Sequence, residues 1–188
     1  MSTKMRDWEG KTAGEGEAIR KWEVPEMDHG EKARENFESG MNCAQSVFCA
    51  FLDMTGFEPE QALRLSSPFG AGIGRMRETC GAVSGACMVI GELYGYSDLN
   101  GTAQKAELYR FVQDFVGRFQ RETGSMWCHE LLGLTQWPSD PDPSARTAQY
   151  YASRPCPGIV ATAARILDGM IAERRAEPEK WKNRGGEG

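Results

Sequence analysis

Apolar residues recur every three or four positions through most of the chain between Glu31 and Arg174, the spacing of helices that each bury one face. The clearest stripe is Leu108, Phe111, Val112, Phe115 and Phe119, inside a helix expected over Thr102 to Glu122. A second is Ile159, Val160, Ala163, Ile166, Leu167, Met170 and Ile171, on a last helix beginning at Pro157. Shorter helices are expected over Glu31 to Glu38, Cys43 to Asp53, Pro59 to Leu65 and Cys80 to Tyr94. Ser39-Gly40 breaks the first of these, and Phe69-Gly70-Ala71-Gly72-Ile73-Gly74 reads as a glycine loop. A short helix follows Ser125 and runs to Leu132, and the Pro- and Asp-rich connection from Pro138 to Ser153 has room for one more helical turn. No segment alternates as a strand does. The expectation is an all-α, single-domain helical bundle of about five to seven helices. Residues 29–175 are expected to form the domain, 1–28 a flexible or loosely docked arm and 176–188 a polar tail.

Charge and composition narrow the classes without naming a function. The 188 residues are 40% hydrophobic and 26% charged, with a net charge of -5. An acidic balance argues against nucleic-acid binding, which needs a basic footprint to meet phosphates. No apolar run approaches the roughly 20 residues that span a bilayer, so no membrane partner is expected. Met1 to Gly30 is polar and holds no apolar signal core. A cytoplasmic location is the resulting expectation. Six cysteines in a chain of this length are not a disulfide scaffold; in a reducing compartment they are buried, metal-binding or catalytic.

Four of the six fall at expected helix starts. Asn42 is a good N-cap, which puts Cys43 in a first turn. Thr79 is a candidate cap for Cys80. Ser125 caps the short helix, with Cys128 three residues on. Pro157 suits a first helical position, which makes Cys156 the cap. Helix N-termini offer unpaired N–H groups and positive partial charge, which favour a thiolate or an anionic sulfur cluster. No Cys-x-x-Cys pair exists, so zinc ribbons and thioredoxin motifs are unsupported. Coincidence and a shared metal or redox site both remain open on spacing alone. Cys49 and Cys87 lie mid-helix and read as small core residues. Gly70 to Gly74 misses the nucleotide-binding spacings and suits a close backbone approach instead. Gly81 and Gly85 suit tight helix packing below Cys80. Arg75, Arg77 and Glu78 read as a solvated charge run, or else Arg75 balances a thiolate. His129 is the substitute ligand or proton donor if the site is wet, and Trp127 and Trp137 either shield the site or fill the core.

The segments around the four cysteines carry a resemblance. Asn42-Cys43-Ala44-Gln45-Ser46-Val47, Glu78-Thr79-Cys80-Gly81-Ala82-Val83-Ser84-Gly85, Cys128-His129-Glu130-Leu131-Leu132-Gly133 and Arg154-Pro155-Cys156 follow in order. Together they resemble the C-GCAxxG-C-C family of redox-active proteins, related to the C-terminal region of split-Soret cytochrome c. The resemblance implies a small helical fold, a redox role and a four-cysteine site on Cys43, Cys80, Cys128 and Cys156. No haem attachment motif is present. The expected activity is electron transfer through an iron–sulfur cluster, of the [2Fe–2S] type, with those four cysteines as cofactor and metal ligands. Two alternatives stay open: a thiol–disulfide oxidoreductase using a cysteine pair and no metal, and a structural zinc protein. In the exchange reading the most acidic thiol is expected at Cys80. The redox partner is unknown and a homodimer is open.

Overall fold

The computed structural model describes residues 28–137 and 140–178. Of the expected arm only Asp28 is among them, and of the tail only 176–178; the rest of both lies outside the described residues. Among those residues the chain is mostly helical, with nine α-helices, six of seven residues or more, and no strand.

Local sequence explains the helix ends. The Asp28 carboxylate accepts from the Glu31 N–H and starts α1, His29–Glu38. Asn42 starts α2, Cys43–Ala50, with a full capping box: its side chain accepts from Ala44 and Gln45, and Gln45 Oε1 accepts from the Asn42 N–H. The helix expected to run unbroken to Asp53 instead breaks at Phe51 (φ -102°, ψ 26°) and resumes as α3, Leu52–Thr55, stopped by the left-handed Gly56. Phe51 leaves helical geometry with its ring fully buried and stacked 4.2 Å from the His29 ring, so tertiary packing overrides the local periodicity there. Next come α4, Pro59–Ser66, a 3₁₀ turn over Ser67–Phe69, and α5, Gly81–Tyr94. The chain is completed by α6, Thr102–Thr123, α7, Cys128–Leu131, α8, Ala148–Ala152, and α9, Cys156–Ala176. The extra turn that the Pro138 to Ser153 connection had room for is α8.

Helices α2 and α9 form the centre. In α2 every residue except Gln45 is buried, and α9 buries Ile159, Val160, Ala163, Ile166, Leu167, Met170 and Ile171. Helix α1 packs on α9 and α2, α5 packs on α2, and α6 lies across α9 and α5. Although α6 is 22 residues long, it buries only Phe111, Phe115 and Phe119, a single i, i+4, i+8 row. Each such ring removed from water is worth about 1.5–3 kcal/mol. Small residues let α5 approach α2 closely. A Cβ on Gly85 would lie 2.6 Å from the Ala44 carbonyl oxygen, so α5 sits against the α2 backbone as the Gly-Ala-x-x-Gly pattern implied. That approach brings the N-termini of α2 and α5 to the same end of the bundle. No helix among the described residues is long and apolar enough to cross a membrane.

Candidate functional site

All four cysteines expected at helix starts are there. Cys43, Cys128 and Cys156 are the first residues of α2, α7 and α9, and Cys80 is the residue that caps α5. Two of these assignments shift by one position: Thr79 does not cap α5, because Cys80 itself does, and Pro155 rather than Cys156 precedes α9. Trp127, not Ser125, is the cap residue of α7; the Ser125 hydroxyl accepts from the Trp127 N–H one step earlier. All four side chains are buried and free of disulfides.

A short backbone pairing sets two of them side by side. Thr79 and Trp127 form an isolated antiparallel bridge. The Cys80 N–H donates to the Met126 carbonyl (2.8 Å), and the Cys128 N–H donates to the Glu78 carbonyl (2.7 Å). His129 reinforces the pairing, donating its N–H and Nδ1–H to the Arg77 carbonyl at 3.0 and 2.8 Å. That bond fixes the ring in place, so His129 serves as a brace for the pairing. Trp137 stacks on the His129 ring at 4.0 Å and Trp127 at 6.4 Å. Both tryptophans stay more than a third exposed, so they flank this pairing and do not fill the core.

The loop before α5 is strained. Ala71, Gly72, Ile73, Gly74, Arg75 and Arg77 all have positive φ, four of them non-glycine. A left-handed conformation costs a non-glycine residue about 1–2 kcal/mol, and such strain gathers at functional sites. Gly72 is where the strain has a purpose: a Cβ there would lie 2.7 Å from the Cys128 Cβ and 2.8 Å from the Arg77 backbone. The loop thus comes up against Cys128, the close approach that its glycines implied.

The sulfurs are electrostatically connected. Cys43 feels all three of the others. Its thiol is held well above the ordinary range, first by hydrogen bonding to Cys156, then by burial. The same hydrogen bond lowers Cys156 to about 7; burial opposes this, and the Arg154 and Arg146 guanidinium groups assist it. Burial pushes Cys80 up to about 12, with the N–H groups of Ala82 and Val83 pulling part of the way back. Burial also raises Cys128, against a hydrogen bond from Arg77. The most acidic thiol is therefore Cys156 and not Cys80. Cys80 lies deeper and has no arginine acting on it, whereas Cys156 has a thiol donor and two cations.

Sequence reasoning missed those cations. The sequence suggests a solvated charge run, with Arg75 as the alternative counter-ion. Instead Arg77 is only 8% exposed and reaches Cys128, while Arg75 is held by Asp140 and the Ser144 hydroxyl. Arg154 had a signal in its place beside Cys156. Arg146, ten residues before that cysteine, had none: it lies over the rings of Phe37, Tyr150 and Tyr151. Cys49 and Cys87 stand apart, their thiols raised by burial alone.

Four sulfurs, helix N-terminal N–H groups and three arginines suit a negatively charged, thiolate-bound group in their chemistry. As the side chains stand, no group of three or more His, Cys, Asp or Glu among the described residues is arranged to hold a metal ion. The close contact is the pair Cys43 and Cys156.

No curated protein and no solved structure matches the chain. A family model described as "Putative redox-active protein (C_GCAxxG_C_C)" matches residues 41–170, which contain all four cysteines. The chain belongs to this family.

Proposed function

We propose that this member of the C_GCAxxG_C_C family is an electron-transfer protein that holds an iron–sulfur cluster, of the [2Fe–2S] type, on Cys43, Cys80, Cys128 and Cys156. The observation that supports the reading is four buried cysteines at the starts of four different helices, with Cys43 acted on electrostatically by the other three. A dithiol enzyme needs two cysteines; a cluster of this kind uses four. When bound, the cluster would take up and release one electron. The chain's own contribution is electrostatic: Arg77 beside Cys128, Arg154 and Arg146 beside Cys156, and the Ala82 and Val83 N–H groups at Cys80 all favour the thiolate form that metal binding requires.

A second reading has its own observation, the hydrogen-bonded pair Cys43 and Cys156. In it the Cys156 thiolate attacks a substrate disulfide, forming a mixed disulfide and expelling one substrate thiolate. Cys43 then loses its proton and attacks the Cys156 sulfur. That releases the second substrate thiolate and leaves a Cys43–Cys156 disulfide, so two electrons pass to the substrate.

Anaerobic protein reconstituted with iron and sulfide separates the readings. The cluster reading expects a brown protein holding about two irons and two sulfides per chain, with colour lost on replacing any one of the four cysteines by serine. Protein that stays colourless and metal-free, with a titratable dithiol, overturns it in favour of disulfide exchange. Colourless protein that binds zinc tightly overturns it in favour of a structural site.

A further inference from the structure

Beside the cysteine end lies a cavity of about 320 Å³. Arg75, Arg77 and Arg154 form its polar wall, and Leu132, Leu134 and Trp137 its apolar one. Among the described residues no aspartate or glutamate lines it, although the chain as a whole carries a net charge of -5. Arg75 is partly offset by the Asp140 carboxylate, while Arg77 and Arg154 bring further positive charge to the same small space, which favours an anion there.

Each arginine is held in position. Arg75 donates from Nε to the Asp140 carbonyl (2.9 Å) and from Nη1 to Ser144 Oγ (3.2 Å), with the Asp140 carboxylate 3.7 Å from Nη2. Arg154 lies 4.5 Å over the Tyr150 ring. Arg77 is nearly buried and turned toward Cys128. Trp137 is stacked on His129 and remains 37% exposed, a fixed aromatic surface on the cavity's edge. Two of the three cations also act on the sulfurs, Arg77 on Cys128 and Arg154 on both Cys128 and Cys156. The cavity and the cysteine centre therefore share a wall.

We infer that this cavity is a binding site for a small planar organic anion, with the arginines taking a carboxylate, sulfonate or phosphate and Trp137 with the two leucines taking the ring. Guanidinium groups match such oxyanions in charge and in fork geometry. The volume lies at the small end of ligand sites, which suits a compact ring system and not a dinucleotide. That the bound ring exchanges electrons with the centre rests on the redox reading above; that the anion binds does not.

Anthraquinone-2-sulfonate is a suitable probe, being planar, anionic and reducible. It is titrated calorimetrically into reduced, metal-free protein without oxygen. Saturable one-to-one binding is expected, weakened about tenfold or more in both Arg75→Gln and Trp137→Ala, as for loss of one charged or stacking contact. Both side chains lie off the sulfurs, and far-UV circular dichroism checks that each variant is folded. Absence of saturable binding, or binding that both variants leave unchanged, overturns the inference. The same titration on Cys43→Ser tells the two proposals apart: binding retained there, in a protein that takes up no iron, keeps the cavity assignment independent of the cluster.

Discussion

Cys156 and Asp168 lie about three turns apart on α9, in surroundings of opposite character. Around Asp168 opposite charges meet. His29 is buried between Asp168 (2.7 Å) and Asp53 (3.2 Å), which ties α9 to α1 and α3. Further along, Arg118 of α6 lies between Asp114 and Glu173, and Arg174 pairs with Glu107. Around Cys156 like groups gather instead: four buried thiols that act on one another on one side, three arginines lining one cavity on the other, and a left-handed loop between them. One region holds the helices together. The other is held in an unfavourable arrangement by the rest of the fold, and that is where the chemistry is placed.

The contrast breaks most visibly at glycines. Gly72→Ala adds a methyl group where the backbone is left-handed (φ 72°) and the Cys128 Cβ and Arg77 backbone are already in the way. Left-handed strain and overpacking together should cost about 3 kcal/mol and displace Cys128. Gly124→Ala, at the end of α6, has φ 90° but nothing within 4 Å of the added atom. It should cost about 1–2 kcal/mol, the conformational part alone. Urea denaturation of the two variants measures the difference. Equal costs would mean that the loop does not press on Cys128.

A smaller effect sharpens the comparison through its sign. Burial alone would lower the His29 pKa, but the hydrogen bonds and charges of Asp168 and Asp53 raise it above 6.5. Its contribution is therefore complete below about 6.5 and is lost as the pH rises through the folded value. Cys156 runs the other way. Its folded value, near 7, lies below the usual 9.0, so its contribution is present above 9 and is lost as the pH falls through 7. In reduced, metal-free protein the two contributions run in opposite directions as the pH rises: that of His29 is lost from 6.5 upward, and that of Cys156 is gained from about 7 to 9. Thermal unfolding from about pH 6.5 to 9 should show stability gained with rising pH in His29→Gln, where only Cys156 acts, and lost with rising pH in Cys156→Ser, where only His29 acts. The same slope in both variants would show that one of the two groups does not titrate in this window.

The two regions also differed in how far the sequence disclosed them. Stripes such as Phe111, Phe115 and Phe119, and caps such as Asn42, are local signals, and the helices they predict are present. The helix-start position of all four cysteines was legible for the same reason, to within one residue for Cys43, Cys80 and Cys156 and to within two for Cys128. What escaped was long-range. The pairing of 77–80 with 126–129 joins residues nearly fifty positions apart, and nothing near Arg77 signals that it will be buried against Cys128. Positive φ at Arg75 and Arg77 runs against their side-chain type, so no propensity could have placed it. Acidity was misplaced at Cys80 because glycine neighbours suggest an uncrowded sulfur, yet burial decides there, and the cations that lower Cys156 come from Arg146 and Arg154. The His29 bridge was not visible either, since its two aspartates lie 24 and 139 positions away.

The smallest effect expected is at the two cysteines outside the site, where alanine replaces sulfur without touching the centre. Cys49 lies inside α2 and is 7% exposed, so Cys49→Ala leaves a small void and should cost about 1–2 kcal/mol, in the usual range for a small core truncation. Cys87 is half-buried at the edge of the core, and Cys87→Ala should cost about half a kcal/mol or less, because alanine also has the higher helix propensity. Neither thiol contributes to the shifts of the other four, so iron uptake and the Cys156 titration should both match the wild type. Urea midpoints and iron per chain on the same samples check this. Loss of iron in Cys87→Ala, with its stability intact, would move Cys87 into the site and break the division between four cysteines at helix starts and two that pack within helices.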